Sequence, residues 1–257
     1  MSWVDLINKY VPFVQVVMPP GSYDKGAKVA TQLASALCTH FGTGAVSPEL
    51  LLFAVVQSDQ VAEALDWDDE TLGRLENEAV SLRPAKPRIN GWAPRTMGVL
   101  RTAWDRGVRR GGAVTRGDLL SGLAGASGSP GKLLKEAHLH YERFDTDERL
   151  GGLAELEPAT DLGDDDPVWA IAINDDRTQM PFVTQVLREQ LGHTEPRAQH
   201  LMYATHIYGA ARVGEGRAED LRTRVSRALG AARAQGFPFE LRLVASAAEP
   251  RAGDQET

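Results

Sequence analysis

Apolar positions change their spacing along this chain, and each change marks a different kind of element. Ala30, Leu33, Ala34, Leu37, Cys38 and Phe41 recur at helical spacing, as do Val99, Leu100, Ala103 and Trp104. Both stretches are therefore predicted to be amphipathic helices. Each is followed by an apolar motif with the same opening: GAVSPELLLFAV from Gly44 to Val55 returns as GAVTRGDLLSGL from Gly112 to Leu123. A repeat so long implies two structural units of one design. Both motifs also start as helices should, Ser47-Pro48-Glu49 and Thr115-Arg116-Gly117-Asp118 placing a hydroxyl cap before a proline or an acid. An aromatic, Tyr23 or Trp92, leads into each repeat. The pattern predicts an all-α pseudo-twofold helical repeat domain over residues 23–145, after an N-terminal extension, residues 1–22.

After residue 145 the periodicity stops. TDERLGGLAELEPATDLGDDD, residues 146–166, is acidic with Gly and Pro, and reads as a linker. Its acidity suits either a solvated spacer or an arm for a basic partner surface, and the spacer is preferred because charge runs are usually solvated. Beyond it, VWAIAINDDRTQMPFV, Val168 to Val183, sets a buried-type strand ending at Ile173 before an Asn-Asp-Asp corner and an apolar helix start. LMYATHIYG, Leu201 to Gly209, supplies a second apolar helix that ends near His206. A last helix over residues 217–235 stops at Gly236 and precedes a strand over residues 239–245. The expected order is strand, two helices, strand, helix, strand, a small α+β domain over residues 167–246 before a C-terminal tail, residues 247–257.

Composition narrows the function. The 257 residues are 42% hydrophobic and 25% charged, enough for two small cores. A net charge of -7 argues against a nucleic-acid binder, and the basic run Arg106 to Arg110 is expected to be a solvated helix end. Cys38 is the one cysteine and sits on an apolar stripe, so a disulfide framework is excluded and a reducing, cytoplasmic setting is expected. The apolar patch Val11 to Met18, with Asp5 and Lys9 before it and Pro19-Pro20-Gly21 after it, is neither a secretory signal nor a membrane span.

Enzyme chemistry finds no constellation. Ser127 to Leu134, SGSPGKLL, is the nearest approach to a phosphate-binding loop, but Ala126 stands where a glycine is needed and Leu133 where a hydroxyl would hold magnesium. It is expected to turn into a helix over residues 132–138. The chain has no Gly-x-Ser-x-Gly elbow and no His-Glu-x-x-His. His138 and His140 lack companion ligands, and Asp164 to Asp166 lie in the linker, so no metal and no cofactor is expected.

The Asn-Asp corner carries chemistry of another kind. Short polar side chains after a strand either satisfy the local turn or project into a cavity. A free protein N-terminus bears an ammonium with three donors and a pKa of about 8. Its host needs an amide oxygen, a carboxylate and a further acceptor, and Asn174, Asp175 and His206 are such a set. An acetylated end would leave the carboxylate unpaired, which makes the site selective.

These segments resemble the ClpS family of protease adaptors, over roughly residues 167–245. The resemblance implies a domain that binds the N-terminus of an N-degron substrate and delivers it to a Clp AAA+ unfoldase. It implies a first-side-chain pocket at Ala172, Thr178, Met180, Val183, Met202, Thr205 and Phe239, and a docking surface for the unfoldase at Glu219 and Arg224. Arg177, Gln179, Thr205 and Phe239 depart from the family pattern and leave the preferred first residue open. The two repeats of the first part resemble the Clp N-terminal repeat domain that precedes the ATPase rings of ClpA and ClpC, with Val46 to Val55, Val114 to Leu123 and Trp92-Ala93-Pro94-Arg95 as the matching runs. The family's histidine is Leu50 and Asp118 here. That resemblance implies a second function class, a decoy that sequesters hydrophobic cyclic-peptide antibiotics at Tyr23, Trp92 and Arg95.

Overall fold

Helix signals early in the chain and strand signals late in it become two separate bodies. The computed structural model describes residues 23–81, 91–145 and 152–246, and the chain divides into Met1–Glu148 and Arg149–Thr257. The extension at residues 1–22 with its apolar patch, residues 146–151 of the expected linker and the tail at 247–257 lie outside the described residues.

In the first unit α1 (Lys25–Phe41) begins where Asp24 accepts the Ala27 N–H at 2.6 Å and ends at Gly42, whose φ of 62° suits glycine. It buries Leu33, Ala34, Leu37 and Cys38 on one face. α2 (Pro48–Val55) is capped by Ser47, which accepts the Leu50 N–H at 3.1 Å, and is buried along its whole length. α3 (Asp59–Leu65) and α4 (Asp69–Ser81) follow, then α5 (Pro94–Arg110), α6 (Arg116–Ala124) and α7 (Ser129–Glu136). α6 packs so closely on α5 that a Cβ on Gly122 would lie 2.6 Å from the Val99 carbonyl oxygen. Two short parallel bridges cross between the repeated segments: Tyr23 pairs with Val114, and Val46 with Trp92. The aromatic before each helix pair is thus tied to the motif of the other pair.

Two expectations are modified in this unit. The run Arg106 to Arg110 does end α5, with Val108, Arg109 and Arg110 exposed, but Arg106 and Arg110 also turn to a buried acid. Asp118 is buried within α6, and Arg106 Nε reaches its Oδ1 at 3.1 Å while Arg110 Nη2 reaches its Oδ2 at 2.7 Å. Desolvation pushes the Asp118 carboxyl up, but the bonds from Arg110, the Thr115 N–H and Arg106 outweigh it and hold it below the usual carboxylate range. The helix after the SGSPG segment also starts earlier than expected, at Ser129. Pro130 presets the backbone of the first turn, so the segment is the helix N-terminus rather than a turn before it.

The second unit has a three-stranded antiparallel sheet in the order β2-β1-β3. β1 (Pro167–Ile173) is central, β2 (Ala210–Arg217) and β3 (Glu240–Ala245) flank it, and α8 (Met180–Glu189), α9 (Glu195–Tyr208) and α10 (Ala218–Ala234) complete the expected order. Alternation along β1 divides its side chains between two layers. Val168, Ala170 and Ala172 join Phe182, Leu187, Leu201 and Leu221 in the main core. Trp169 and Ile171 join Ala210 and Val244 on the opposite face.

That opposite face overturns the spacer reading of the acidic stretch. Its described part, residues 152–166, lies along the second unit. Leu153 and Leu156 pack on the Trp169 layer, and the Ala159 N–H bonds the Leu243 carbonyl at 2.9 Å. Arg242 Nη1 donates to the Ala154 carbonyl at 2.8 Å, Arg222 holds Asp164 at 2.9 Å, and Arg217 holds Asp165 at 3.0 Å. The carbonyls of Asp166 and Asp164 accept the Ala218 and Glu219 N–H groups at 2.9 and 3.1 Å, satisfying donors that the start of α10 would leave orphaned. The stretch is a strap on its own domain because arginines distant in sequence meet its acids.

Candidate functional site

The expected corner opens onto a cavity. β1 ends at Ile173, paired with Ala210, and one residue later the Asn174 N–H donates to the Gly209 carbonyl at 2.9 Å. Gly209 takes a φ of 92° at the end of α9, with its own N–H on the Thr205 carbonyl at 2.9 Å. This closure ties the corner to the last turn of α9, where His206 stands. The cavity encloses about 220 Å³ and is lined by Ile173, Asn174, Asp175, Asp176, Thr178, Met180, Val183, Met202, Thr205, His206 and Phe239.

Asp175 shapes the turn with half of its carboxylate. Oδ1 accepts the backbone N–H groups of Arg177 at 2.8 Å and Thr178 at 2.7 Å, an Asx turn that leads into Gln179 and α8. Partial burial pushes the carboxyl up, but hydrogen bonding from Thr178 and the Arg177 N–H hold it below the ordinary value, so it is ionised at neutral pH. The Thr178 hydroxyl lies near enough to favour that charge, yet its buried oxygen has no aligned hydrogen-bond partner of its own. The C-terminal turn of α9 adds the negative end of a helix dipole beside His206, which again favours a cation.

The remaining wall is apolar. Val183, Met202 and Phe239 are buried, Phe239 resting edge-on against Phe182 with ring centroids 6.3 Å apart. Thr205 donates its hydroxyl to the Leu201 carbonyl at 2.8 Å, so that polar group is already satisfied. Met180 is 36% exposed at the start of α8, which makes it a flexible rim rather than core. Ala172 is a correction: it is fully buried and not among the lining residues, because its place in the β1 alternation sets its methyl in the core behind the cavity. Sequence reasoning missed Ile173 and Asp176. Their signal was adjacency, one on each side of the Asn174-Asp175 pair.

Glu219 and Arg224 are both exposed on α10. Five residues at 3.6 per turn put them about 140° apart around the helix, so they do not share one face. Arg224 Nη1 turns to the Leu191 carbonyl at 3.3 Å, and the Glu219 N–H is held by the strap. In the first unit Tyr23 and Trp92 are half-buried rather than exposed, and burial pushes the Tyr23 phenol well above its usual pKa. Arg95 bonds Glu49 at 3.2 Å and the Ser127 carbonyl. No group of His, Cys, Asp and Glu among the described residues is arranged to hold a metal, and none of the helices described there is long and apolar enough to cross a membrane.

Comparison with known proteins bears on the second unit. The family model for ATP-dependent Clp protease adaptor protein ClpS matches residues 164–242. Two curated relatives, each an ATP-dependent Clp protease adapter protein ClpS 1, come from Bradyrhizobium diazoefficiens and Rhodopseudomonas palustris. They are 38% and 37% identical over 69 residues, which is 27% of this chain and 68% and 67% of theirs. The solved structure of Agrobacterium tumefaciens ClpS2 bound to L-phenylalaninamide is 25% identical with a TM-score of 0.31, covering 32% of this chain and 98% of that one. Through residues 164–242 the chain belongs to the ClpS family of Clp protease adaptors.

Proposed function

We propose that the second unit captures the free α-amino end of N-degron polypeptides whose first side chain is large and apolar, and presents them to a Clp AAA+ unfoldase of the ClpA or ClpC type. The observation that carries this reading is the convergence of Asn174, Asp175 and His206 on one cavity whose other walls are Met180, Val183, Met202 and Phe239. The ammonium would sit against the Asn174 side-chain oxygen, the Asp175 oxygen not used by the turn, and a ring nitrogen of His206. The first side chain would enter the apolar part, where burial contributes about 1.5 to 3 kcal/mol for a Leu or Phe. An acetylated end would strand a desolvated carboxylate, so selection follows from the cost of leaving it unpaired. Titrating fluorescent peptides that start with Leu, Phe, Tyr or Trp, each in free and acetylated form, tests the proposal; equal affinity for the two forms refutes it.

The first unit is proposed to be a Clp N-terminal repeat-like domain over residues 23–145, joined to a ClpS domain over residues 167–246 that the strap completes. Docking on the unfoldase is assigned to the exposed surface of α10 around Glu219, with Arg224 on an adjoining face. Nothing comparable favours the first unit as a sink for cyclic peptides, since Tyr23 and Trp92 are half-buried in backbone bridges and Arg95 is engaged by Glu49.

A further inference from the structure

The two repeats of the first unit offer an internal control on what their fold requires. α1 and α5 are each 17 residues long, start directly after a cap residue, Asp24 or Ala93, and end at a left-handed glycine, Gly42 or Gly111. These ends fix a shift of 69 residues, Lys25 onto Pro94. Ala27, Ala30, Ala34 and Cys38 then coincide with Thr96, Val99, Ala103 and Gly107, all of them buried. The flank beside that buried face is where the helices part. In α1 it carries Lys28, Gln32, Ser35 and Thr39, with the Ser35 and Thr39 hydroxyls donating back to the Thr31 and Ser35 carbonyls at 3.1 and 3.3 Å. In α5 the same positions are Met97, Arg101, Trp104 and Val108. A polar flank serves the first repeat, so the fold does not demand the apolar one.

Met97 and Trp104 are half-buried, and Val108 is 57% exposed, one of two large apolar side chains exposed among the described residues. The other, Met180, rims the cavity. The four positions fall within about 60° of one another around α5 and run about 16 Å along it. Arg106 and Arg110 lie on the opposite flank, where they hold Asp118 of α6, so the stripe faces away from α6. Aligned apolar side chains left open in this way mark an interaction surface rather than scatter. Spacing and charge say what fits it. Gaps of four, three and four residues are those of a helix-pairing seam, and α5 supplies both halves of one. Laid antiparallel on a second α5, about an axis between residues 102 and 103, Met97 meets the other copy's Val108 and Trp104 meets its Arg101, while exposed Asp105 flanks the same guanidinium. That charge receives an indole face and a carboxylate. A parallel pairing would set Arg101 against Arg101.

We infer that the α5 stripe is a self-association surface, on which two copies of this chain pair antiparallel across a twofold axis, with Met97 and Val108 at the ends of the contact and Arg101, Trp104 and Asp105 meeting twice at its centre. Isologous pairing of this kind is the commonest route to a dimer. A seam of three helical turns falls below about 1,200 Å², the size of weak and transient contacts. The dimer is therefore expected to be reversible and concentration-dependent. It rests on the first unit alone and owes nothing to the reading of the cavity.

Sedimentation velocity of the full chain at low ionic strength, from about 5 to 500 μM, reads the association. The wild type should pass from monomer to dimer across that range. Val108→Asp, at an exposed position, should leave the melting temperature of the first unit unchanged and weaken dimerisation about 10-fold or more. Arg101→Asp and Asp105→Arg should each weaken it about 3- to 10-fold by setting like charges together, and the double variant, which exchanges the two charges, should restore it. A wild type that stays monomeric throughout overturns the inference and leaves the stripe to a partner of another kind. Association that Val108→Asp does not weaken overturns it too, placing the contact elsewhere. Failure of the exchange to restore what the single charge variants lose rules out the antiparallel pairing and so overturns it as well.

Discussion

Replacing Asp175 with Asn separates the charge of the corner from its shape. Asp175 Oδ1 already holds the Arg177 and Thr178 N–H groups at 2.8 and 2.7 Å, and a carboxamide oxygen can keep both bonds. What the substitution removes is the charge on the oxygen that faces the ligand. A hydrogen bond to a charged group contributes about 1.5 to 3 kcal/mol and a neutral one about 0.5 to 1.5, so the difference is about 1 to 1.5 kcal/mol. The mouth of the cavity is open to water around half-buried Asp175 and exposed His206, which places the effect at the lower end, a loss of about 5- to 10-fold in affinity. Asp175→Ala should lose more, because it also strands the two turn N–H groups. Fluorescence anisotropy with a Phe-initiated peptide at fixed ionic strength reads both changes. The pH dependence follows from the same group: with its pKa held below the ordinary value, Asp175 stays ionised down through pH 5 and contributes no titration there, whereas binding should fall above about pH 8 as the ligand amine loses its proton. Unchanged affinity in Asp175→Asn, or binding that strengthens as the amine deprotonates, would refute the charge-based account.

Other consequences can be checked on the same preparation. Asp118→Ala leaves Arg106 and Arg110 without their buried partner and should lower the stability of the first unit by about 3 kcal/mol, seen as an early thermal transition with the ClpS-unit transition in place. Because the folded Asp118 pKa is depressed, the stability it contributes is present above the unfolded carboxylate pKa of about 3.9 and is lost as pH falls through the folded value, so acid unfolding should shift to higher pH when a partner arginine is removed. Leu156→Asp should lift the strap from the Trp169 layer, lowering the melting temperature of the second unit and raising dye binding to exposed apolar surface. The purified chain should hydrolyse no ATP, and turnover that persists after removal of contaminating ATPases would contradict the reading of residues 127–134.

Much of the second domain is legible in sequence because its signals are local. The short apolar run from Val168 to Ile173, bounded by a turn signal, reads as a buried strand, Gly209 and Gly236 end helices where the backbone is left-handed, and the Asn-Asp corner stands where the strand stops. What escapes is whatever depends on partners far along the chain. Asp165 is held by Arg217, 52 residues later, so composition alone presents the strap as a solvated spacer. Asp118 and its two arginines are close in sequence but reveal themselves only once α5 and α6 pack. Ala172 shows the limit of matching by position: a residue can occupy a pocket position while the alternation of its strand directs it into the core. Glu219 and Arg224 likewise match in spacing, yet the helix turns them apart.

The most direct test maps the bound N-terminus on the full chain by NMR titration. Addition of a free Phe-initiated peptide should shift the amide signals of residues 174–180 and 202–206 and of Phe239, leave those of α1 to α7 in place, and produce nothing when the peptide is acetylated. Shifts centred in the first unit, or the same shifts from the acetylated peptide, would contradict the assignment of this cavity as the N-terminus site.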